Sequence, residues 1–154
     1  MTLTAGGWTS WLRRPAGPSA TWGRTVGRFP PPPPPFLADT DLLIVMLGTN
    51  DLLQGRSPEQ AAGRLERFLS GVSLDRSRTL LIAPPPVTLG EWVPSPQLID
   101  GSRAFARLCQ SMAERMGIRF ADAGKWDIPL AYDGVHFTEK GHRAFAAGLL
   151  EEIR

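Results

Sequence analysis

The sequence is poor in the residues that staple or embed a chain. Its 154 residues include one cysteine, Cys109, which excludes an intramolecular disulfide framework and fits a reducing compartment. No apolar run approaches the roughly 20 residues that span a bilayer. The N-terminus lacks the continuous apolar core of a secretory signal, so a cytoplasmic location is the expectation. Gly6, Gly7, Pro15, Gly17 and Pro18 would break the amphipathic helix of an organelle transit peptide. Histidine is nearly as scarce: His136 and His142 have no third ligand at a suitable spacing, which argues against a metal site. Acid is missing altogether from residues 1–38, which carry Arg13, Arg14, Arg24 and Arg28; the overall charge of +2 then leaves −2 for residues 39–154. Arginines interrupted by Gly, Pro and Trp do not form a nucleic-acid-reading face, and the remainder is slightly acidic, so no nucleic-acid partner is expected.

What is present reads as one domain, large enough to bury about two-thirds of its unfolded surface. Residues 1–35 form an irregular Arg/Pro-rich segment. Residues 1–29 show no helical or strand period, and the six prolines from Pro30 to Pro35 can only be extended polyproline II. Arg28, Pro31 and Pro34 also match the spacing of an SH3-type proline ligand, although such runs commonly serve as spacers. The patterned domain covers residues 36–154. Residues 42–47 (LLIVML) are continuously apolar and end at Gly48, as a strand buried on both faces does. Ser57-Pro58-Glu59-Gln60 offers an N-cap, a first-turn proline and a capping-box glutamine. The stripe Ala61, Ala62, Leu65, Phe68, Leu69 and Val72 continues that helix.

Residues 79–83 (TLLIA) predict a second strand, stopped by Pro84, Pro85 and Pro86, and residues 87–99 predict a loop. A second helix is expected over 101–116, with Phe105, Leu108, Cys109, Met112 and Met116 on its apolar face and Gly117 as C-cap. This makes Cys109 a packed thiol rather than a nucleophile. Residues 118–121 predict a third strand. Thr138 is positioned to cap a last helix that buries Phe145, Leu149 and Ile153, and Lys140 and His142 fall in its solvated first turn. The order β-α-β-α-β-α implies right-handed crossovers and a parallel sheet between helices, a three-layer α/β/α fold.

Ligands of such sheets bind beyond the carboxyl ends of the strands, and the chemically equipped residues collect there. Asp133 stands three residues before His136. A carboxylate accepting from His Nδ1–H fixes the tautomer, leaves Nε2 free to take a proton and stabilises the imidazolium. Gly134 lets the backbone turn tightly enough for the two to meet. A turn-forming Asp beside a solvated His has the same spacing. After the first strand, Asn50 can donate to a developing oxyanion, or Asn50 and Asp51 can simply form an Asx-turn.

These residues also carry a family resemblance. LLIVMLGTNDL (42–52) and DGVHFTEKGH (133–142) resemble the third and fifth sequence blocks of SGNH, or GDSL-type, hydrolases, and LLIAPPP (80–86) resembles their bacterial arylesterase and acyltransferase-like branch. The resemblance implies a flavodoxin-like α/β/α fold and a serine esterase without metal or organic cofactor, acting on a small-molecule ester. Asn50 would be the oxyanion donor, His136 the base and Asp133 its orienting carboxylate. Gly48, Thr49 and Trp92 are the candidates for lining the substrate.

The family's nucleophile lies in a Gly-Asp-Ser block after a buried strand. Here Gly17-Pro18-Ser19 puts proline in place of the Asp. Arg13 and Arg14 argue against a buried strand over residues 10–16, since each would cost several kcal/mol unpaired. Either Ser19 reaches the site on an irregular arm, or residues 1–29 are not native hydrolase sequence and the fold is N-terminally truncated. In the second case the domain is catalytically silent, and its first strand has an open edge that favours pairing with a second copy of the chain.

Overall fold

The computed structural model describes residues 40–154 and two short strands before them, β1 (Trp8–Leu12) and β2 (Thr21–Trp22). Strand β3 (Leu42–Met46) leads into a short helix, α1 (Thr49–Leu53), and then α2 (Pro58–Ser70). Strand β4 (Thr79–Ala83), the long helix α3 (Pro96–Met116), strand β5 (Arg119–Asp122) and the last helix α4 (Glu139–Glu152) follow. The sheet order is β2-β1-β3-β4-β5. β3, β4 and β5 run parallel, with Val45 opposite Leu81 and Leu81 opposite Phe120, so the loops that follow all three leave from one edge.

Strand alternation creates the layers, because successive side chains point to opposite faces. Leu43, Val45, Leu81 and Ala83 pack against Leu65, Phe68 and Leu69 of α2 and Phe105, Cys109 and Met112 of α3. Ile44, Met46, Leu80, Ile82 and Ala121 face the other way, toward Trp126, Phe137, Phe145, Leu149 and Ile153 around α4. The result is the three-layer α/β/α arrangement, with Cys109 wholly enclosed. Burial, reinforced by the negative charge of Asp122, pushes its thiol up to about 12, so it stays protonated and inert.

Local signals account for most of the boundaries. Ser57 Oγ accepts from Gln60 N at 3.2 Å while Gln60 Oε1 accepts from Ser57 N at 3.0 Å, which is the expected capping box. Thr138 Oγ1 accepts from Gly141 N at 3.1 Å, and Gly117 ends α3 at φ 65°. Two boundaries differ from expectation. α3 begins at Pro96 rather than near 101, because Ser95-Pro96 repeats the Ser-Pro start of α2. Thr49–Leu53 is a helical turn where a loop was expected, nucleated by Gly48, whose carbonyl accepts from Asp51 N and Leu52 N.

The larger difference lies before residue 40. β1 pairs antiparallel with β3, Trp8 opposite Met46 and Leu12 opposite Leu42, and β2 pairs antiparallel with β1. The sheet is therefore mixed. β1 takes in Ser10, Trp11 and Leu12 of the segment 10–16 where no buried strand was expected; Arg13 and Arg14, on which that expectation rested, lie outside the described residues. Antiparallel pairing also needs no helical crossover. β3 is thereby paired on both sides, which closes the edge from which self-association was expected. Ser19 and residues 28–34 lie outside the described residues.

The core and caps fix the expected cost of mutation. Leu65→Ala, at a position with no exposed surface, should lower unfolding stability by about 2–5 kcal/mol. Ser57→Ala should cost about 1 kcal/mol. Urea unfolding monitored by circular dichroism checks both.

Candidate functional site

The residues that bear chemistry sit on the loops beyond β3, β4 and β5. Asp133 is buried, with 7% of its surface exposed. One oxygen, Oδ1, accepts from Val135 N at 2.8 Å and His136 N at 2.9 Å. The other, Oδ2, meets His136 Nδ1 at 2.6 Å. Burial pushes the Asp133 carboxyl up, but the two backbone amides, the ring hydrogen bond and the imidazole charge together outweigh it, and the group ends below its ordinary value. An ionised carboxylate at Nδ1 makes that nitrogen the donor and Nε2 the lone-pair nitrogen. Among the described residues Nε2 has no hydrogen-bond partner.

The loop that carries this pair is closed on itself. Ala131 N donates to His136 O at 2.7 Å and Gly134 N to Ala131 O at 3.0 Å, with Leu130 bridged to Phe137. Gly134 takes φ 82°, a backbone that L side chains rarely adopt, and a Cβ there would strike the Thr88 carbonyl.

The loop after β4 is fastened to it. Thr88 N donates to Gly134 O at 3.0 Å, Glu91 N to Tyr132 O at 3.3 Å and Trp92 N to Asp133 O at 3.1 Å. Gly90 has no room for a side chain either, since a Cβ would meet the backbone of Asp133 and Gly134. From the other side Ser102 of α3 accepts from Val87 N at 3.2 Å and donates to Ile99 O. Trp92, with 52% of its surface exposed, brings its ring to 4.9 Å from that of His136 at an interplanar angle of 77°.

The β3 loop contributes differently. Gly48 is in left-handed backbone at φ 121°, and a Cβ would run into the Phe105 ring. Thr49 and Asn50 form the first turn of α1, and Asp51 behind them is buried. Asp51 Oδ1 meets Arg64 Nε at 2.9 Å and Arg56 Nε at 3.4 Å, tying α1 to α2. The Asx-turn alternative therefore gives way to a helical turn in which Asp51 is an anchor.

The structure thus joins Asp133, His136 and Trp92 by direct contacts, and sets Gly48, Thr49 and Asn50 at the same sheet edge. Ser19 lies outside the described residues. His142 is partly exposed, with its ring against Phe137 at 5.5 Å. Sequence reasoning passed over Gly90 and Ser102, and it gave Asp51 only a turn-forming role. A Ser on the α3 stripe between apolar positions was a signal for Ser102, whereas Gly90 meets partners more than 40 residues away that local pattern does not name. Among the described residues no cluster of three His, Cys, Asp or Glu side chains could hold a metal ion, and no helix is long and apolar enough to cross a membrane.

Residues 2–144 match the GDSL-like lipase/acylhydrolase family. The fold is similar to that of the M. smegmatis aryl esterase, at 29% identity and a TM-score of 0.64 over 77% of this chain and 62% of that one. A putative arylesterase from Agrobacterium tumefaciens str. C58 matches at 28% identity, TM-score 0.63, over 74% of this chain and 60% of that one. A carbohydrate acetylesterase family member from Sinorhizobium meliloti shares the fold at 23% identity and TM-score 0.66, over 77% of this chain and 62% of that one. The chain thus spans about three-fifths of the length of these structures. No curated protein matches the sequence.

The environment of Asp133 sets the pH dependence of stability. Because its folded pKa is lowered, its contribution is complete above the ordinary value of 3.8 and is lost as pH falls through the lower folded value. Acid titration of urea stability should show a steeper decline below pH 3.8 in the parent than in Asp133→Asn. Parallel curves would contradict this.

Proposed function

The chain belongs to the GDSL-like lipase/acylhydrolase family, and from that premise we propose that it is a carboxylic ester hydrolase working through an acyl-enzyme. The observation that carries the reading is the 2.6 Å contact between the buried Asp133 carboxylate and His136 Nδ1, which orients the ring for base catalysis at Nε2. The similarity to arylesterases of known structure supports the same reaction class.

In this reading His136 Nε2 removes the proton of Ser19 Oγ as that oxygen attacks the ester carbonyl. Asp133 holds the tautomer and stabilises the imidazolium without itself taking the proton. Charge builds on the carbonyl oxygen, where the Asn50 amide donates; a preorganised donor of that kind is worth roughly 100- to 1000-fold in rate. His136 returns its proton to the departing alcohol, the carbonyl re-forms as an acyl-Ser19 ester, and water activated by the same Nε2 releases the acid. Gly48 and Thr49 border the substrate on the β3 side and Trp92 on the β4 side. The left-handed, side-chain-free Gly48 lets the backbone turn directly from the buried strand into the Asn50 helix.

Hydrolysis of p-nitrophenyl acetate by the purified chain tests this. His136→Ala and Asp133→Asn should each lower kcat by about 10,000-fold, and Asn50→Ala by about 100- to 1000-fold. Ser19→Ala should abolish acyl-enzyme formation, seen by mass spectrometry. Turnover indifferent to His136→Ala would refute the mechanism, and full activity of Ser19→Ala would remove Ser19 from it.

A further inference from the structure

We propose that Trp92 is a positioning residue that holds the imidazole of His136 in register with Asp133, beyond any part it plays in lining the substrate. The proposal rests on the reading of His136 as the base but not on the identity of the nucleophile. Beyond its covalent Cβ–Cγ bond the ring is held by one hydrogen bond, at Nδ1, which leaves it able to tilt about the axis through those two points. The Trp92 ring supplies a second constraint, 4.9 Å away and nearly perpendicular to the imidazole, the edge-to-face geometry that aromatic pairs prefer.

The support is itself supported. Trp92 N donates to the carbonyl of Asp133, so the backbone carrying the indole is fixed to the residue that holds the other side of the imidazole. A tight turn, in which Gly90 N donates to Val93 O at 3.2 Å and Val93 N to Gly90 O at 3.1 Å, sets the direction of residues 91 and 92. Val93 is fully buried and anchors that turn. The close approach depends on Gly90, whose position leaves no space for a Cβ beside Asp133 and Gly134.

Exposure separates this role from core packing. Half of the Trp92 surface remains open to solvent, and a smaller apolar side chain such as Leu keeps part of the burial of the other half. What it would lose is the ring contact with His136.

Trp92→Leu keeps apolar bulk without a ring, and Trp92→Phe keeps a ring. The first measurement is the proton NMR resonance of His136 Nδ1–H, assigned by its disappearance in Asp133→Asn and its persistence in His142→Asn. The second is kcat and KM for p-nitrophenyl acetate and the bulkier p-nitrophenyl butyrate. The resonance should broaden through faster exchange with water in Trp92→Leu and recover in Trp92→Phe. kcat should fall by about 10- to 100-fold for both esters alike in Trp92→Leu, with KM little changed.

A resonance and kcat indifferent to Trp92→Leu, with KM rising only for the butyrate, would overturn the proposal and leave Trp92 as pocket lining. A resonance that depends on the ring in a chain without esterase turnover would refute the proposed function alone and uphold the positioning role.

Discussion

A carboxylate taken out of water is costly unless its oxygens are satisfied, and Asp133 is the point at which this structure meets that constraint. Its three hydrogen bonds come from residues two and three positions along the chain. The bonds that stabilise the buried charge are therefore the same ones that fold the loop and orient the imidazole. Gly134 must adopt left-handed backbone for Val135 and His136 to return their amides to Oδ1, and that backbone then presents its own carbonyl to Thr88. Loop shape, histidine tautomer and docking of the neighbouring loop are consequences of one satisfied charge.

The docking matters because neither loop is regular secondary structure. Residues 87–93 and 131–137 hold each other through backbone bonds in addition to the Trp92–His136 ring contact, which makes the spacing of their main chains insensitive to most substitutions except at the glycines. Ser102 then fixes the loop to α3, whose Phe105 packs on Gly48 at the head of α1. A continuous path of packed atoms runs from the His136 loop through α3 to the turn carrying Asn50. A rigid helix is a better foundation for such a site than a loop would be.

The readable parts of this fold are those decided over a few residues. The buried strands Leu42–Met46 and Thr79–Ala83 declare themselves by the apolar runs 42–47 and 80–83, and Ser57, Gln60 and Gly117 mark helix ends through bonds made within one turn. Asp133 and His136 belong to the same class, since their contact spans three residues. What pattern cannot supply is contact between distant segments. β1 carries no distinctive alternation and is defined by its pairing with β3, the approach of Gly90 to Gly134 crosses more than 40 positions, and the nearer of the two Asp51 partners, Arg64, lies on a different helix. Tertiary pairing decides these, and a short sequence window holds no trace of it.

Asp51 and Asp133 show how one residue type serves two purposes at the same end of the sheet. Both are buried, and both obtain their partners from elements nearby. Asp51 is matched to the guanidinium groups of Arg56 and Arg64, which are donors only and have no acceptor to offer. Nothing in that arrangement can move a proton, so its effect ends with joining α1 to α2. Asp133 spends one oxygen on an imidazole, a partner that can carry either one proton or two, and whose second nitrogen is uncommitted among the described residues. The identity of the partner, rather than the depth of burial, separates a structural carboxylate from one that can support base catalysis. By that criterion the proposed chemistry of this edge centres on His136, and the β3 loop with its Asp51 anchor is the frame that sets Asn50 at the same edge.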